Sequence, residues 1–182
     1  MPKRILCITG QRPGIKWKRN VGRKKRTIEE AIAIAGQWGV EIPDYVEFVL
    51  DDAGVLRGSL NELLSGGQME TAKCSEVQEH EDGYVYWRDH VPTKSKTGRI
   101  AIRIHPDVLT SDEAIVAVLQ HEVFELSAIY DVCLSNPHER MSASDYHSQV
   151  RTHNPGNFHC QAWEVSDKRV LWMRAVKHGK SA

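Results

Sequence analysis

Residues 112–130, DEAIVAVLQHEVFELSAIY, constrain this chain more than any other stretch. Its apolar residues recur at helical spacing, and its ionisable residues fall among them. On a helix, Ala114, Ile115, His121, Glu122, Glu125 and Ile129 all lie within about 60° of Val118. A His and two carboxylates on the core-facing side of a helix are costly unless they are paired, hydrogen-bonded or bound to a metal. Any fold that buries this helix must therefore supply partners for them.

His121 and Glu125 are four residues apart and stack on one helix face, where an imidazole nitrogen and a carboxylate oxygen can share one metal ion. With Glu122 between them, the order is ligand, acid, ligand. It is similar to the H-E-x-x-H helix of zinc peptidases, whose inner Glu is the general base, with Glu125 in place of the second His. A second helix is expected from about residue 158 to 176, opened by Asn154-Pro155-Gly156 with Asn154 as its cap. On it, Ala162, Trp163, Ser166, Val170 and Met173 fall within about 60° of His159, which places that histidine on the apolar face too. His121, Glu125 and His159 then make two His and one Glu, a ligand set of catalytic zinc sites that leave a fourth position for water. Another divalent metal suits the same set, and two His with one carboxylate also hold iron in oxygenases. His138, His147 and His153 fall between His121 and His159, so the histidine enrichment points to the same neighbourhood.

Around these helices the signals are those of an α+β domain. Thr27 and Glu30 form a capping box for a helix over 27–38, with Gly39 as its left-handed stop. Val46–Leu50 has strand character, Ser59 and Glu62 cap a short helix over 59–64, and residues 84–87 form a strand after the Asp82-Gly83 turn. In residues 99–104 Ile100, Ile102 and Ile104 alternate with Arg99, Ala101 and Arg103, the pattern of a half-buried strand. Thr110 and Glu113 offer a capping box for the central helix, and residues 142–150 a short helix with a Ser cap. Asp89-His90-Val91-Pro92 fits a turn after a strand better than the start of a His-Asn-His nuclease motif. The expected architecture is a small, mostly antiparallel sheet with helices packed on one face, zincin-like in that an edge strand borders the cleft beside the metal helix.

Charge divides the chain. Residues 1–26 contain ten Lys/Arg and no Asp/Glu, so the rest holds fourteen basic against twenty-four acidic residues. Gly10, Pro13, Gly14 and Gly22 interrupt this segment, which implies a basic flexible arm over 1–26 ahead of a single metal-dependent catalytic domain over 27–178. With Trp17 among Lys16, Lys18 and Arg19, the arm can hold nucleic-acid phosphates and stack a base, or lie on the acidic body. The four cysteines form no C-x-x-C pair, so neither a disulfide framework nor a zinc ribbon is indicated. No apolar run reaches the length of a membrane span, and RILCITG is too short for a signal-peptide core. A cytoplasmic location, or delivery into a target cell as an effector, follows as the expectation.

The run from Ile104 to Asp167, with SDEAIVAV-x-x-HE-x-x-EL followed by PGN-x-H-x-x-AW-x-V-x-D, resembles a domain at the C-termini of large bacterial polymorphic toxins, including RHS-repeat proteins. TIEEAIAIAGQWGVEIPDYVEFVLDD is similar to it as well, so the resemblance spans roughly residues 27–170. His121, Glu122, Glu125, Asn157, His159, Trp163 and Asp167 match positions of the pattern. The family's helix reads H-E-x-H-E, and Phe124 departs from it. The resemblance implies a metal-dependent toxin domain with an immunity protein as partner, and leaves open which bond is cut.

The expected function is a zinc-dependent hydrolase of peptidase type acting on protein or peptide. Zinc lies on His121, Glu125 and His159, Glu122 accepts the proton of the attacking water, and Tyr146, His147 or His153 donates to the oxyanion. Two alternatives use the same residues. A metal-dependent nuclease would grip nucleic acid through residues 1–26. A non-enzymatic binding or assembly module would close a structural metal with a fourth ligand such as Asp167 or His153, or use a His-Glu network without metal.

Overall fold

The computed structural model describes residues 15–18, 24–74, 83, 99–131, 141–150 and 154–179, and the backbone alone of 77–79 and 85–87. Residues 89–92, His138 and His153 lie outside the described residues. Among the described residues the elements follow the order α1 (Ile28–Gln37), β1 (Val46–Leu50), α2 (Leu60–Leu64), β2 (Ala72–Cys74), β3 (Val77–Glu79), β4 (Val85–Trp87), β5 (Ile100–Ile104), a 3-10 helix (Pro106–Thr110), α3 (Asp112–Ile129), α4 (Ala143–Val150) and α5 (Phe158–Lys177). The fold is α+β.

The sheet is mixed, not mostly antiparallel. Its order is β1-β5-β2, with β1 parallel to β5 and β2 antiparallel to it, while β3 and β4 form a separate antiparallel pair. Parallel strands need a long crossover, and here the chain from β1 to β5 supplies it through α2 and the other strands. The alternating isoleucines therefore belong to the central strand, not to the edge. Ile100, Ile102 and Ile104 are buried and join Val46 and Phe48 of β1 in one core with residues of α1, α3 and α5. Among the described residues the edge beside the cleft is β2.

Short-range chemistry sets the helix ends. Thr27 and Glu30 form the reciprocal capping box that starts α1. Gly39, at φ 79°, continues the chain past its end in the left-handed region that favours glycine. At α3 the expected cap moves by one residue: Ser111 Oγ accepts from Ala114 N at 3.2 Å, while the Thr110 hydroxyl donates to the Asp107 carbonyl. The 3-10 turn takes up Thr110, and Glu113 is freed for another partner. At α5 the cap is Asn157, not Asn154, with Oδ1 accepting from Cys160 N at 2.9 Å. Asn157 also donates to the Ser148 carbonyl at 2.8 Å, tying α4 to the start of α5.

Helix α3 is the centre of the fold, with every residue from Glu113 to His121 buried. It runs antiparallel to α5, since Glu113 at its start meets Arg174 near the end of α5 and Glu125 near its end meets His159 at the start of α5. Glu113 meets Arg174 through bonds of 2.9 and 2.7 Å, and Ser166 Oγ donates to the Ala117 carbonyl at 2.9 Å. Gln120 accepts from Arg169 at 3.1 Å, and Glu125 meets His159 at 3.0 Å. Ser166 and Ala117 are both fully buried, and small side chains there let the two backbones approach closely.

The described part of the basic segment is docked on this pair. Trp17 is 3% exposed and belongs to the core, so it is not available to stack a base. Lys18 N donates to Glu113 Oε2 at 2.7 Å, and Arg174 donates to the Lys16 carbonyl at 2.6 Å. Further along, Arg26 pairs with Asp112 at 3.2 Å.

Loop 51–58 carries the sheet toward the cleft. Asp51 accepts from Val55 N at 3.0 Å and Leu56 N at 2.8 Å, and Arg103 approaches it at 3.8 Å. Burial works to raise the Asp51 carboxyl, but these backbone donors and Arg103 outweigh it and hold the group below the usual range. A group lowered in this way stabilises the fold above its unfolded pKa, and the contribution fades as pH falls through the folded one. Asp51→Asn should cost about 2 kcal/mol near neutral pH by urea denaturation. The difference from wild type should narrow below about pH 4, and an equal cost in acid and at neutrality would contradict this account.

Candidate metal centre

α3 and α5 bring His121, Glu125 and His159 together. His121 Nε2 lies 3.2 Å and His159 Nδ1 3.0 Å from the same oxygen, Glu125 Oε2. The His121 and His159 rings meet edge to face, with centroids 4.9 Å apart. Glu122, one residue along, places Oε1 4.0 Å from His121 Nε2. All four residues line a cavity of about 450 Å³. Its other walls include Thr71 to Cys74 of the β2 edge, Leu56 from the Asp51 loop, and Tyr146 and Val150 of α4. That volume is in the range of small-molecule and peptide side-chain pockets.

The group can hold a metal ion. One donor atom from each of His121, Glu125 and His159 lies within 4.8 Å of the others, and both imidazoles are buried. The donor chemistry fits, because two nitrogens and a carboxylate oxygen converge on one point. Among the described residues His121 Nδ1 is buried without a hydrogen-bond partner, so none of them holds the ring by hydrogen bonding on its far side. Trp163 serves instead, with its ring tilted against His121 at a centroid distance of 4.1 Å.

Trp163 also acts on the second histidine. Its Nε1–H lies 3.3 Å from His159 Nε2 and can only donate, so Nε2 accepts and neutral His159 carries its proton on Nδ1, toward Glu125. A cation held at Nδ1 would require that proton to move to Nε2, which could then no longer accept from Trp163.

The two carboxylates differ in charge although one turn of helix holds both. Burial pushes Glu122 up to about 7, against the pull of His121 and with the help of the Glu125 charge. Burial also works upward on Glu125, but His121 and His159 outweigh it and hold the group down at about 2. Side-chain exposures of 13% and 16% leave both carboxylates in touch with the cavity.

Of the oxyanion donors expected from the sequence, Tyr146 lines the cavity, His147 does not, and His153 lies outside the described residues. Asp167 does not join the three-residue group. Sequence reasoning missed two parts of the site. Trp163 was identifiable as a core residue four positions after His159, but spacing gave no sign that it touches both imidazoles. The β2 wall was hidden because a three-residue strand carries too little pattern to register. No protein-family model, curated protein or solved structure matches the chain.

Zn²⁺ added to chelator-treated protein should raise the thermal midpoint by roughly 10 °C at a thousandfold excess over Kd. His121→Ala and His159→Ala should each remove the shift. A shift that survives in both variants would place the metal elsewhere.

Proposed function

We propose that the protein is a zinc-dependent hydrolase of peptidase type with a zincin-like arrangement of edge strand and metal helix. The observation that carries this is Glu122, a carboxylate on the cavity wall within 4.0 Å of the His121 nitrogen that faces Glu125. Zinc fits the donors, because bonds of about 2.0–2.1 Å in a tetrahedron set neighbouring ligand atoms roughly 3.3 Å apart. The donor separations of 3.0 and 3.2 Å come close to that spacing. A peptide substrate is supported by β2, an edge strand along the cavity that can take an extended chain as a further strand.

Zinc bound here supplies a Lewis acid that lowers the pKa of water to about 7. Glu122 takes the proton from water as its oxygen attacks the carbonyl carbon, then delivers it to the nitrogen of the breaking C–N bond. Burial, which raises Glu122, gives it a proton affinity suited to both transfers. The Tyr146 hydroxyl, on the α4 wall, donates to the oxygen that gains charge. His121, Glu125 and His159 act by holding the ion, and Glu125 stays ionised throughout. In the same reading the chain is a toxin-type effector domain, whose immunity partner would act by covering the cavity.

Glu122→Gln should lower hydrolysis of a fluorescent casein substrate about 10²- to 10⁴-fold while metal content is retained. In wild type the rate should climb with pH on its acid side, since Glu122 must be ionised to accept a proton. Burial sets that limb near 7 and the neighbouring cation moves it lower. A Glu122→Gln protein as active as wild type would rule out the general-base role.

A further inference from the structure

The segment from Ile15 to Lys18 has no chemistry of its own in the proposed reaction, yet it is held more firmly than a surface strand of chain requires. Lys18 is fixed at both backbone groups: its N donates to Glu113 Oε2 at 2.7 Å, and its carbonyl accepts from Ser111 Oγ at 2.5 Å. Arg174 grips Glu113 through two bonds and reaches the Lys16 carbonyl at 2.6 Å. Glu113 is 6% exposed, so these charge-assisted bonds are shielded from water. Between the two anchored residues, Trp17 enters the core with its ring 6.2 Å from that of Trp163.

Trp163 is the residue that touches both metal-binding imidazoles. A histidine ligand is ordinarily oriented by a hydrogen bond to its other ring nitrogen. Among the described residues none gives His121 such a bond, since its Nδ1 is buried without a partner there, and the Trp163 ring at 4.1 Å takes that place. We propose that Trp17 is a positioning residue of the metal centre: clamped by Glu113, Arg174 and Ser111, it backs the Trp163 ring and so fixes the His121 and His159 imidazoles. The basic segment is thereby joined to the site it precedes by more than a hundred residues. The inference rests on the metal-centre reading for its effect on affinity, but the contact between the two tryptophans stands apart from that reading.

The test uses the full chain carrying Trp17→Leu, which keeps an apolar side chain in the core without a ring to back Trp163, and Trp17→Phe, which restores a ring. Co²⁺ serves as the probe metal. Trp17→Leu should weaken Co²⁺ binding about 10- to 100-fold and shift its visible absorption bands, while Trp17→Phe recovers most of the affinity. Leu109→Ala, a buried substitution outside the cavity lining, should lower stability and leave Co²⁺ affinity unchanged. Should Trp17→Leu fail to fold, Glu113→Gln loosens the clamp from the other side and should move the same readouts in the same direction. In the metal-free protein the Trp163 indole N–H should exchange with solvent faster in Trp17→Leu than in wild type or Trp17→Phe. Unchanged affinity in folded Trp17→Leu, or an unchanged indole exchange rate, overturns the proposal. Wild type that binds no Co²⁺ brings down the metal reading instead, and the indole exchange then decides the role of Trp17 alone.

Discussion

The contact between α3 and α5 is the constraint on which the rest depends. Two imidazoles and a carboxylate meet at one end of it, where the last turns of α3 pass the first turn of α5, and they meet only in one register. A slip of one helical turn would carry His159 about 5.4 Å from Glu125 and leave charged and polar groups buried without partners. The polar contacts along the helix pair act as register marks: Glu113 with Arg174, Gln120 with Arg169, and Ser166 with the Ala117 carbonyl. Arg169 extends the lock to α1, since it also donates to the Trp38 carbonyl at 3.2 Å.

Within that register, electrostatics gives one turn of helix two different carboxylates. Glu125 faces both imidazoles and is ionised at all ordinary pH, whereas Glu122 faces the cavity beside an existing negative charge and is raised toward neutrality. Environments that push neighbouring titratable groups apart are the usual way a site separates a ligand from a proton carrier. The low value of Glu125 depends on the histidines, so a change at His121 or His159 alters Glu125 as well.

How much of this was legible in the sequence depended on the range of the interaction. Thr27 and Glu30 were readable because a capping box lies within four residues. His121, Glu125 and His159 were readable because helical periodicity exposes an ionisable residue on an apolar face. Where two local solutions competed, the choice was made by tertiary context. Ser111 displaced Thr110 as the α3 cap once the 3-10 turn took up the Thr110 hydroxyl, and Asn157 displaced Asn154 because it also bonds to α4. The parallel pairing of β1 with β5 was not legible, since alternation specifies which face of a strand is buried but not the direction of its neighbour. Trp17 misled for a related reason: surrounding lysines and an arginine imply an exposed arm, and only the distant pair Glu113 and Arg174 shows why that backbone lies against the core.

The central claim is that His121, Glu125 and His159 hold a metal ion, and X-ray absorption at the metal edge of the purified protein tests it most directly. The account predicts a bound ion whose first shell contains two imidazole nitrogens and oxygen at about 2.0–2.2 Å, with no sulfur. A first shell with sulfur, one with no imidazole, or a protein that takes up no metal would contradict it.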